Sequence, residues 1–200
     1  MKGGKMKIKK TLQNIVIAGA LALGGSNAKA TLVPFEQSIP DSYSYSGSVL
    51  NPEKSVDGLF DTYAESLGKP SEFSMIESYN IPKDTISVNW NSDFSLGKYS
   101  VGKIDYSIDG LDWMPLYQGN TFNGINLEEN LSRPINLFDD FGKQFNEIDS
   151  LQFRSHFVSP YSFSGGNVYN EGKTTGTMIP EVATIALLGL GSLFLIPRKI

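Results

Sequence analysis

The body of this 200-residue chain reads as an all-β protein, a two-sheet sandwich of jelly-roll type, and three observations predict it. Short runs of alternating apolar and polar residues recur along it, the period of a strand with one buried face. Glycine, proline and Asp-Gly turn signals separate those runs at the spacing of antiparallel sandwiches. No window of a dozen residues carries a convincing helical repeat.

The chain opens on residues 1–30, with lysines at 2, 5, 7, 9 and 10, an apolar core from about Ile15 to Leu23, and then Ala28-Lys29-Ala30. Charge and apolarity are segregated along the segment and not around a helix, which predicts a secretory signal helix. Signal peptidase would cut after Ala30, between a small-residue A-x-A site and Thr31. Residues 31–163 are then the sandwich domain. Within them, Thr85–Trp90 places Ile86, Val88 and Trp90 on one face, and Lys103–Ile108 turns Ile104, Tyr106 and Ile108 inward. Asp109-Gly110 is a turn signal, after which Leu111–Leu116 is expected as the partner strand around Trp113. Ile148–Val158 alternates again, with Leu151, Phe153 and Phe157 opposite Gln152, Arg154 and His156. Leu127–Asn130 and Asn136–Phe145 are expected as turns or short helices, since Asn136 can cap and Leu137, Phe138 and Phe141 follow at helical spacing. Residues 164–178, rich in Gly, Ser, Asn and Thr, read as a flexible spacer.

Two body segments carry a resemblance. Val56-Asp57-Gly58-Leu59-Phe60-Asp61-Thr62, followed later by Tyr106-Ser107-Ile108-Asp109-Gly110-Leu111-Asp112-Trp113, resembles the early Asp-Gly loop and the Tyr-Ser-x-Asp-Gly-x-x-Trp strand of discoidin-like, galactose-binding-type sandwiches. That resemblance implies a scaffold, with Leu151-Gln152-Phe153-Arg154 as a later core strand. It also implies a structural Ca2+ held by Asp57, Asp61 and Thr62, hard oxygen donors of the type calcium takes. The alternative is that the two aspartates only shape a turn by accepting from nearby amides. Asp105, Ser107, Asp109 and Gly110 imitate the start of a calcium-binding EF-hand loop, but its twelfth position is Leu116 and not a bidentate glutamate.

The chain closes on residues 179–200. Pro180-Glu181 precede sixteen uncharged residues, Val182–Pro197, and Arg198-Lys199 follow. Sixteen helical residues rise about 24 Å, slightly short of the ~30 Å hydrocarbon core, and the basic end would be retained on the cytoplasmic side. A single transmembrane helix is therefore expected, with Pro180 and Glu181 at the outer face. The Pro-Glu pair, Leu188-Gly189-Leu190-Gly191 and the basic end resemble PEP-CTERM sorting tails, although Val182 replaces the second proline. The resemblance implies processing by exosortase, a membrane transpeptidase, at a transient anchor. A permanent anchor is the alternative.

Removing both ends leaves nine Lys+Arg against 20 Asp+Glu, a body of net charge −11. Nucleic acid and anionic lipid both need a basic footprint, so neither suits it as a partner. There is no cysteine, and one histidine cannot form the usual zinc cluster. No G-x-S-x-G elbow or phosphate-cradling loop accompanies His156. Exposed rings at Tyr43, Tyr45, Tyr161 and Phe163 would either stack on sugars or anchor their loops. The expectation is a non-enzymatic, exported cell-surface protein that binds extracellular polysaccharide or serves adhesion. A polysaccharide hydrolase or lyase would instead need a concave cleft with two convergent acids, at least one desolvated.

Overall fold

The alternating runs pair into two antiparallel sheets in a computed structural model that describes residues 5–7, for their backbone, 32–59 and 62–179. The strands are β1 (Lys5–Lys7), β2 (Val33–Gln37), β3 (Ser42–Gly47), β4 (Val49–Leu50), β5 (Ala64–Ser66), β6 (Ser71–Asn80), β7 (Thr85–Leu96), β8 (Val101–Ser107), β9 (Met114–Asn120), β10 (Leu127–Pro134), β11 (Ser150–Ser159) and β12 (Val168–Met178). One sheet runs β1-β3-β6-β11-β8-β9 and the other β10-β7-β12-β5-β4, with β2 also paired to β12. After β6 the chain crosses from sheet to sheet at β7, β8, β10, β11 and β12, so the two layers close over one core. The all-β, two-sheet reading therefore holds.

That core follows from the alternation. Phe73, Met75 and Tyr79 of β6 and Leu151, Phe153 and Phe157 of β11 meet Val88, Trp90, Phe94 and Leu96 of β7. Trp90 stacks on Phe153 with ring centres 3.9 Å apart, and Tyr79 meets Trp90 edge-on at 5.6 Å. Burying a ring of this size contributes on the order of 3 kcal/mol. Ile86, expected on the face of Val88 and Trp90, is instead 47% exposed, because the register of β7 against β12 shifts between Ser87 and Thr85 and breaks the alternation there.

Three local expectations are corrected. Residues 164–178 are no spacer: Val168–Met178 is β12, a central strand paired along one side with β7 and along the other with β5 and then β2. Its glycines mark close packing. A Cβ on Gly172 would lie 2.1 Å from the Trp90 ring, and one on Gly176 would lie 2.2 Å from the Ser87 carbonyl oxygen. Leu127–Asn130 is no helical connector, because it begins β10, whose Leu131 is buried while Glu128 and Asn130 face solvent. The strand after the Asp109-Gly110 turn starts at Met114, not Leu111. Asp109 Oδ1 accepts from the amides of Leu111 and Asp112, which prolongs the turn and leaves Leu111 82% exposed. The short helix α1 (Leu137–Phe141) does form after Asn136.

Among the described residues no helix is long and apolar enough to cross a membrane. The cleavage residues Ala28 and Ala30 lie outside the described residues, as do Pro180, Glu181, Arg198 and Lys199. Both the chain entering β2 and Ile179 leaving β12 lie at one end of the sandwich, since Val33 pairs with Met178.

Candidate functional site

At the opposite end, β6 begins, β3 and β11 finish, and the turns between strands form a platform. A hollow of about 520 Å³ is lined there by Ser46, Ser48, Ser71, Glu72, Ser74 and Pro160, among others. The loop that leaves the hollow carries Tyr161 and Phe163, 46% and 67% exposed, which lie face to face with ring centres 4.9 Å apart and 3° between planes. Phe163 meets Tyr99 edge-on at 5.4 Å.

Polar contacts fix this loop in place. Ser164 Oγ accepts from the Tyr161 amide and donates to the Tyr99 carbonyl, while the Gly165 amide donates to the Lys98 carbonyl at 2.7 Å. Gly97 and Gly165 approach so closely that a Cβ on either would meet the other's backbone within 2.5 Å. Tyr99 itself sits at φ +57, in the left-handed region that few tyrosines adopt. Asn167, buried, ties the base by donating to Ser159 Oγ and accepting from the Gly97 amide. Two aromatic faces and a row of hydroxyls are thus presented with little conformational freedom left to lose.

His156 lies at the edge of the hollow on the outer face of β11. Its Nδ1 is 2.7 Å from Ser74 Oγ, and its Nε2 is 3.6 Å from Glu72 Oε1. The three side chains resemble a nucleophile, base and carboxylate by type alone. Ser74 is held mid-sheet between β3 and β11, so the surrounding backbone amides belong to the ladders, leaving no pair to face an oxyanion. The desolvated acids lie elsewhere. Glu77, fully buried between the sheets, accepts from the Tyr169 hydroxyl at 2.6 Å, and burial pushes its carboxyl up to about 8. Glu171, 2% exposed, is pushed up to about 7, first by burial and further by Asp57, Glu36 and Asp93, with Lys173 opposing. Neither lines the hollow, where Glu72 is the one acid.

The candidate cation loop lies on the flank of β12. Strand β5 pairs with β12 only at Val168–Tyr169 and β2 only from Thr174 onward, and the 3-10 turn Pro52–Ser55 packs across the gap. Thr62 Oγ1 lies 2.7 Å from the Lys54 carbonyl, 2.9 Å from Asp57 Oδ1 and 2.8 Å from the Leu59 carbonyl. One hydroxyl proton cannot serve three acceptors. Both Glu171 carboxyl oxygens are buried without a hydrogen-bond partner, and Asp57 is one of the acids whose charge adds to the upward push on its carboxyl. The Asp57 carboxylate, two carbonyls and the Thr62 hydroxyl are hard oxygen donors of the type calcium takes. Among the described residues no three acidic or imidazole side chains converge, so the fit rests partly on carbonyls. Asp61 lies outside the described residues. Asp57 also accepts from the Leu59 amide, forming the turn expected of it on the simpler reading.

The structure separates the four aromatic candidates. Tyr161 and Phe163 come together, whereas Tyr43 and Tyr45 belong to strand β3 and not to a loop, with Tyr43 buried. Glu72, Ser74, Tyr99 and Glu171 were not singled out from sequence. Glu171 carried no local signal, because the register of β12 against β7 shifts between Tyr169 and Glu171 and breaks the alternation there.

No protein-family model matches the chain, and no curated protein does. Among solved structures it is similar to TmCBM61 in complex with β-1,4-galactotriose, with TM-score 0.39 and 9% identity over 66% of this chain and 86% of that one. It is similar to chitosan-binding module 1 from the chitosanase/glucanase of Paenibacillus sp. IK-5, with TM-score 0.38 and 13% identity over 68% and 96%. For CBM28, a non-crystalline cellulose specific carbohydrate-binding module, the values are 0.34 and 10% over 70% and 76%. Likenesses at these TM-scores carry no weight for the ligand of this chain.

Proposed function

We propose that this is an exported, non-catalytic surface protein that binds polysaccharide through the end of its sandwich bearing Tyr161, Phe163 and the serine-lined hollow. The observation that carries the reading is the parallel, exposed Tyr161–Phe163 pair beside a row of hydroxyls. Apolar ring faces suit the C–H faces of a sugar, and hydroxyls with one carboxylate suit its oxygens. Calcium is a structural partner, held by Asp57, Thr62 and Glu171 with the Lys54 and Leu59 carbonyls, and with Asp61 the third acid of the loop. The ion would satisfy the orphaned oxygens of Glu171.

Export by signal peptidase after Ala30 and sorting by exosortase at Pro180-Glu181 complete the proposal. The protein would sit transiently in the inner membrane through Val182–Pro197 and then reach the cell surface or the extracellular matrix. Its binding end would point away from the tether, because Ile179 leaves from the opposite end. Full-length protein applied to a glycan array with and without calcium tests the binding part, and absence of enrichment on every glycan would reject it. Mass measurement of surface material tests the sorting part: a product lacking Arg198 supports it, and intact chain bearing Arg198 favours the permanent anchor.

A further inference from the structure

The outer face of the first sheet holds a charged constellation that the hollow does not use. In β8 and β11, Asp105 lies opposite Arg154 and Lys103 opposite His156. Asp105, with a side chain only 1% exposed, lies beneath two cations: Arg154 Nη2 donates to Oδ2 at 2.8 Å, and Lys103 Nζ is 2.9 Å from Oδ1. The lysine contact lacks hydrogen-bond geometry, leaving Oδ1 without a bonded partner. The ammonium is therefore placed by charge and not locked by direction. Above the pair, the Arg154 guanidinium stacks 4.3 Å over Trp113, whose Nε1 donates to the Gly110 carbonyl. One buried carboxylate thus holds two partly exposed cations, a trio of net charge +1 on a body of net charge −11. The nearby Asp109 carboxylate accepts from the Leu111 and Asp112 amides, which favour its ionised form and hold it in the turn, and Glu72 lies on the far side of His156. Asp112, exposed, immediately precedes Trp113 in the chain and is a further acid of this turn.

We infer that Arg154 and Lys103 form a subsite for a sugar carboxylate, so that the preferred ligand is an acidic polysaccharide containing uronic acid. The inference rests on the polysaccharide reading and deepens it. Ser74 lines the hollow and contacts His156, which lies opposite Lys103. The hollow and the cation pair are two strand spacings apart, about 10 Å, so one oligosaccharide spans both. A guanidinium already stacked and paired loses little freedom on accepting a second carboxylate at its remaining N–H groups.

The test titrates the full chain in detergent micelles with trigalacturonate and, separately, with its uncharged methyl ester. The acid is expected to bind about tenfold more tightly at roughly 20 mM salt, with the preference shrinking to about threefold or less near 500 mM. Lys103→Gln, which leaves the Arg154–Asp105 pair intact, is expected to lower acid affinity by about fivefold and leave ester affinity unchanged. Arg154→Lys keeps the charge but loses the planar fork, and is expected to reduce the preference as well. Equal affinity for acid and ester, or a preference that survives Lys103→Gln, overturns the inference. The two readings fail separately: ester bound without a preference for the acid rejects the carboxylate subsite alone. Acid bound through Lys103 without any ester binding rejects the loop-end site alone.

Discussion

At the scale of single residues, the buried acids set the properties most open to measurement. Glu77 has an ordinary value of 4.5 and is raised to about 8 by burial. The folded protein therefore keeps a proton there that the unfolded chain releases. The stability this contributes is present below pH 4.5 and is lost as pH rises through 8, at up to about 1.4 kcal/mol per pH unit. Glu77→Gln is expected to make the fall of melting temperature between pH 5 and pH 8 shallower, the part left below pH 7 belonging to Glu171, and to melt above wild type at pH 9. Thermal melts across that range check it, and an unchanged slope would show that Glu77 is not the group responsible. Glu171 gives a second prediction, since its two oxygens have no hydrogen-bond partner. Calcium at about one hundred times its dissociation constant adds about 2.7 kcal/mol, or about 5–10 °C for a domain of this size. The shift should reverse with chelator and vanish in Glu171→Gln. Neither buried acid was legible as such from sequence, because composition counts carboxylates without saying which ones the fold covers.

At the scale of elements, β12 shows what alternation reveals and what composition conceals. Its glycines and threonines read as a flexible spacer, yet Tyr169, Glu171 and Thr174 are all buried, with the register shifting between Tyr169 and Glu171. The glycines are required by neighbours distant in sequence, Trp90 and Phe35, which no local pattern displays. Gly172→Ala should accordingly destabilise the domain by about 3 kcal/mol, read by denaturant unfolding, where a spacer would tolerate the change without effect. Strands β8 and β11 were readable because both faces obey the period, with Ile104, Tyr106, Phe153 and Phe157 inward. Strand β10 was missed because Leu127-Glu128-Glu129-Asn130 has only one apolar residue before Leu131, and its identity as a strand comes from pairing with β7. The stacking of Tyr161 on Phe163 was half legible. Both rings could be picked out in a loop, but their parallel arrangement depends on contacts with Lys98 and Tyr99, more than 60 residues upstream.

For the whole molecule, the arrangement of the two ends connects structure to proposed role. The chain enters and leaves the sandwich at one end, and the aromatic pair and hollow occupy the other. Such a layout places the binding surface outward from any tether that follows Ile179. The all-β class was available from short alternating runs, whereas the convergence of Glu72, Ser74 and His156 required the pairing of β6 with β11. Binding of a neutral oligosaccharide such as the methyl-esterified trisaccharide, measured by calorimetry for the full chain and its Tyr161→Ala/Phe163→Ala double variant, tests the account most directly. Saturable binding by the wild type and a loss of tenfold or more, about 1.4 kcal/mol or greater, in an equally stable variant is the predicted result. Undiminished affinity after both rings are removed would contradict it.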